Sequence, residues 1–165
     1  MNSPHTLEEL TEIFRSLGSS YPELSAQSEI EEGIPQLARF IFLQQAWSGI
    51  AREGDSGWID EEIRSAKANP DRPYAGLGHA LERCLSKGVS ADDITEITRC
   101  LQAQMLFNIG YLIDGPRFTP EPLEEIGWGL FQTDSNDQPY GKQIGALYES
   151  VLEFDPTGRE MRPNK

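Results

Sequence analysis

Pairs of carboxylates at helical spacing are the commonest arrangement in this chain with the means to do chemistry. Glu9 with Glu12, Glu29 with Glu32, Asp93 with Glu96, and Glu121 with Glu124 each stand three residues apart, so a helix carries both acids of a pair on one face. Hard divalent cations take oxygen ligands. All-α metal-dependent nucleotide hydrolases use such faces to hold Mg²⁺ against a polyphosphate. Glu9, Glu12, Glu29 and Glu32 are the metal-ligand candidates under that reading. Position argues for a plainer one. Every pair lies in or near the first turns of a predicted helix, where a carboxylate stabilises the macrodipole by about 0.3–1 kcal/mol.

The two His and two Cys offer less. His79 precedes Glu82 at i, i+3, but a di-iron bundle needs a Glu-x-x-His element on each of two helices. An antiparallel hairpin turning at Gly88–Ser90 would set His79 level with Cys100, the pairing that activates a thiolate. In that geometry His79 points away from the partner stripe, and no third group orients it. Cys84 would face Ile94, leaving Cys100 roughly 9 Å further along the axis, beyond the reach of about 7 Å between Cα atoms that a disulfide allows. Two buried thiols are the expectation.

Two further strings stand out. Asp134-Ser135-Asn136-Asp137 begins like a calcium loop but lacks its glycine and closing glutamate, and reads as a turn. Asp155-Pro156-Thr157-Gly158-Arg159-Glu160 is the most distinctive segment. It reads as a helix stop followed by a turn, with a recognition loop built on the ion pairs of Arg159 as the sharper alternative. No nucleophile elbow, phosphate-binding loop or dinucleotide fingerprint is present.

These residues must be positioned by helices. Thr6-Leu7-Glu8-Glu9 has the capping-box spacing and opens a helix with Leu7, Leu10, Ile13, Phe14 and Leu17 on one face, stopped by Gly18. Ser28 to Glu31 repeats the spacing ahead of a strongly apolar helix over 34–53. Asp60 opens a shorter helix ending before Asn69-Pro70. Pro73 starts one that carries Tyr74, Leu77, Leu81, Cys84 and Leu85 on one side and closes at Lys87-Gly88. Ser90 caps the longest, over 91–113, in which Ile94, Ile97, Leu101, Met105, Ile109 and Leu112 keep a helical period and are expected to face the core. A short helix follows from Thr119 through Leu123 and Ile126, then a small β-hairpin near 128–142, then a helix from Gln143 to Phe154. The fold class is all-α, mainly α: one irregular helical bundle of about six or seven helices with a small hairpin. It forms a single domain over 1–165, with mobile ends at about 1–5 and 156–165.

Composition decides which functions remain. The chain has 165 residues, 38% hydrophobic and 25% charged, which is the make-up of a globular domain. Its net charge of −13 and lack of a basic cluster argue against nucleic acid. The apolar runs Phe40–Leu43 and Met105–Ile113 are far shorter than the roughly 20 residues a bilayer requires. The sequence Met1-Asn2-Ser3-Pro4-His5 has no secretory pattern, so a cytoplasmic location with reduced cysteines is expected. With no catalytic constellation above background, the leading reading is a protein that works through contacts with a basic protein partner, as an inhibitor, immunity-type protein or adaptor. No cofactor is expected. Mg²⁺ enters only under the hydrolase alternative.

Overall fold

The structure is a computed structural model that describes residues 5–115 and 126–163. Those residues form seven α-helices, one 3-10 turn and a two-stranded antiparallel hairpin, so the mainly helical fold with a small hairpin is observed.

Helix α1 (Leu7–Ser16) opens on a capping box. The Thr6 hydroxyl accepts from the Glu9 N–H, and the Glu9 carboxylate accepts from the Thr6 N–H. The second expected box is not one. Ser28 lies inside α2 (Pro22–Glu32), because Pro22 supplies a preset first-turn φ and Gly33, left-handed at φ 65°, ends the helix. The helix expected over 34–53 is correspondingly shorter, α3 (Gln36–Ser48). Leu10, Phe14 and Ala26 are buried between α1 and α2, with Leu37 and Phe40 of α3 packed against them.

Helices α4 (Gly57–Ala68) and α5 (Ala75–Ser86) form a second hairpin. They touch at Gly78, where an added Cβ would stand 2.5 Å from both the Ala66 Cβ and the Glu62 carbonyl oxygen. That approach turns Gly78 inward and leaves Leu77 exposed, contrary to the face drawn from periodicity. Helix α5 lies mainly along α4, so the long hairpin with α6 that would set His79 level with Cys100 does not form, although Cys84 does pack in one cluster with Ile94 near the turn.

Helix α6 (Ala91–Asp114) is the longest, as expected, and its Ser90 hydroxyl accepts from the Asp93 N–H. It meets the core on an unexpected side. Ile94 is buried as expected, with Thr95, Arg99, Ala103 and Gly110, whereas Ile97, Leu101, Met105, Ile109 and Leu112 are exposed. Periodicity shows that residues share a face, not that their own chain covers it. The small inward residues allow close approach, and a Cβ at Gly110 would stand 2.9 Å from the Tyr148 nitrogen.

Strand β1 (Leu130–Thr133) pairs with β2 (Pro139–Ile144), and Pro139 occupies the strand edge that a residue without an N–H requires. β2 runs to Ile144, so the helix expected from Gln143 to Phe154 is reduced to α7 (Leu147–Ser150) and the 3-10 turn Val151–Phe154. Ala146, at φ 56°, redirects the chain between them. Asp114 then caps α7 from the far end of α6, its carboxylate accepting from the Leu147 and Tyr148 N–H groups. The main core forms where α3, α6, β2, α7 and the 3-10 turn meet, around Leu43, Trp47, Ala103, Ile144, Leu147 and Val151. The short helix expected from Thr119 to Ile126 lies, apart from Ile126, outside the described residues.

Candidate functional site

Several of the paired carboxylates are engaged in separate structural contacts, although Glu9 and Glu12 line one surface hollow with His5, Thr6 and Glu8. Glu9 is engaged with Thr6, which lowers the pKa of its carboxyl. Glu12 pairs with Arg15. Glu29 accepts from the Leu37 N–H at 2.7 Å, joining α2 to α3, and the backbone carbonyl of Glu32 accepts from Lys142 Nζ at 2.8 Å. Glu96 takes the Cys100 thiol. Glu121 and Glu124 fall outside the described residues. Among the described residues no group of three or more His, Cys, Asp or Glu is placed to hold a metal ion.

The remaining sequence candidates also separate. Glu82 pairs with Lys67 at 2.5 Å, and His79 lies half-buried on the same helix. Cys84 is half-buried among Ile59, Leu81 and Ile94, but Cys100 is exposed, so only one of the thiols expected in the core is near it. Burial and then the Glu96 carboxylate raise the Cys100 pKa, which makes it a poor thiolate. Asp134 closes its turn by accepting from the Asn136 and Gln138 N–H groups, and those bonds lower its pKa.

The Asp155 string proves to be a structural hub. Asp155 accepts from Arg99, from the N–H and hydroxyl of Thr157, and from the Met161 N–H. Burial pushes this carboxyl up, but the four donors together outweigh it and hold the pKa at about 2. Arg99 also lies over the Trp47 ring, 5.6 Å from its centroid. The loop continues through left-handed Glu160 and Met161, and Arg159 reaches Glu53 at 2.6 Å. Residues 156–163, expected within a mobile end, are thus pinned to the body. Arg99 was not among the sequence candidates. Its signal was present, since it is the only charge between Ile97 and Ile113.

Two features remain open to a partner or ligand. One is the outer face of α6. Ile97, Leu101, Met105 and Leu112 are each 59–60% exposed, with Ile109 beside them at 43%. Together they present on the order of 500 Å² of apolar surface, in the range where patches mark interaction sites. Asp93 and Glu96 stand exposed at its N-terminal end. The other is a cleft of about 930 Å³ bounded by the α1–α2 connection, α3 and the loop after Phe154.

No model of a known protein family matches the chain, and no curated protein or solved structure is detectably similar to it.

Proposed function

We propose that the protein acts through protein–protein contacts, as an inhibitor, immunity-type protein or adaptor, with the outer face of α6 as its docking surface for a basic partner. The observation that carries this is the exposed stripe of Ile97, Leu101, Met105, Ile109 and Leu112 on the longest helix. An apolar centre with a charged rim is the usual anatomy of an interface. Here the rim is acidic, at Asp93 and Glu96, and the chain carries −13 overall. Its first 32 residues hold seven carboxylates against one guanidinium, a field that steers a basic chain toward it. A second copy of the same chain fits less well, since like fields oppose one another. Free Cys84 and Cys100 support a cytoplasmic setting, and no helix among the described residues is long and apolar enough to cross a membrane. The hydrolase alternative has less support, because Glu9, Glu12 and Glu29 are engaged in a cap, an ion pair and a backbone contact, and no group of three or more potential ligands among the described residues is placed to hold a metal ion.

A photoreactive amino acid at Met105, activated in cells, tests the proposal. The expected product is an adduct with a different chain of net positive charge, lost when Leu101→Glu is added. No adduct, or an adduct only between copies of this chain, overturns it.

A further inference from the structure

The cleft beside α3 has no part in that proposal, and its chemistry is different. At about 930 Å³ it matches the size of small-molecule sites. Its wall is aromatic: the Phe40 ring meets Phe14 edge-on at 5.8 Å and Phe154 at 4.7 Å, with Trp47 lining the same space. Half of its charged residues are already matched. Arg99 and Asp155 neutralise each other at the floor, and Glu53 pairs with Arg159.

Arg39 and Arg52 line the cleft outside those pairs, and of the two Arg39 is the less exposed. Its guanidinium lines the cleft half-buried and donates to the Gln36 side chain, and no carboxylate among the described residues lies at ion-pair distance from it. A desolvated guanidinium facing an aromatic wall favours an anion, and its fork matches a carboxylate through two parallel bonds. Burial lowers the Arg39 pKa, while the charges of Glu153, Asp114 and Glu149 act back on it. Glu153 also lines the cleft, so a second negative charge on the ligand would be opposed.

We infer that this cleft binds a small monoanionic carboxylate with an aromatic body, its carboxylate on Arg39 and its ring against Phe40, Trp47 and Phe154. Titration calorimetry of the full chain with phenylacetate, benzoate and indole-3-acetate tests this, with 2-phenylethanol and phenyl phosphate as controls. At least one of the carboxylates binds saturably. Its neutral analogue and the Arg39→Gln variant each weaken binding at least about 10-fold. Arg39→Lys, which keeps the charge but not the fork, falls between. Glu153→Gln tightens binding about 3-fold, a gain that misfolding does not produce. Absence of saturable binding by all three carboxylates, unchanged affinity in Arg39→Gln, or tighter binding of phenyl phosphate overturns the inference.

Discussion

The Arg99 guanidinium and the Asp155 carboxylate meet inside the protein from points 56 residues apart, with side-chain exposures of 4% and 0%. The pair ties α6 to the C-terminal loop beneath Trp47. Removing one partner leaves the other charge buried and unmatched, so Asp155→Ala is expected to cost about 3–5 kcal/mol. Arg99→Met combined with Asp155→Leu should cost clearly less than the sum of the two single changes, as read by urea unfolding.

The same carboxylate sets an acid limit. Its folded pKa of about 2 lies below the ordinary value of 3.8, so its stabilisation is present above that ordinary value and is lost as pH falls through the folded one. Between pH 4 and pH 2 the wild type should lose about 2 kcal/mol that Asp155→Asn has already lost. Parallel pH profiles of unfolding midpoint for the two proteins would show Asp155 not to be the group responsible.

The two sides of α6 should respond in opposite ways to substitution. Leu101→Ser, on the exposed face, should leave stability within about 0.5 kcal/mol of wild type. Ala103→Leu, at 3% exposure against the core, should cost about 1–3 kcal/mol by overpacking. Thermal unfolding of the two variants distinguishes them, and a large loss in Leu101→Ser would mean that this face is covered by its own chain.

Glycines two residues apart on α5 should also differ in sign. Gly76→Ala meets nothing within 4 Å and removes backbone freedom from the unfolded chain, for a gain of about 0.5 kcal/mol. Gly78→Ala places its methyl 2.5 Å from the Glu62 carbonyl oxygen, and α4 and α5 must separate, at a cost of about 1–3 kcal/mol. Equal and small effects on melting temperature would contradict the close approach.

What the sequence made legible was local. The Thr6 box, the Ser90 cap, the stop at Gly88 and the hairpin around Asp134 rest on chemistry among neighbouring residues, and each appears in the structure. What it hid was tertiary. Ser28 looked like a helix cap but lies inside a helix that Pro22 has already started. The break at Ala146 depends on a cap from Asp114, remote in sequence. The side of α6 that faces inward was misjudged because its buried strip holds small and polar residues, Thr95 and Arg99 included, while Ile97, Leu101, Met105, Ile109 and Leu112 point outward. Neither Arg99 nor Arg39 carries a motif, since the surroundings that make them notable come from distant segments.

The proposed role of the outer face of α6 is tested by the affinity of the partner captured at Met105 for purified wild-type protein and for Leu101→Glu, by titration calorimetry over a range of salt. The predicted result is a loss of at least about 10-fold in the variant with an unchanged unfolding midpoint, and a wild-type affinity that falls as salt screens the acidic rim. Equal affinities for the two proteins would contradict that role.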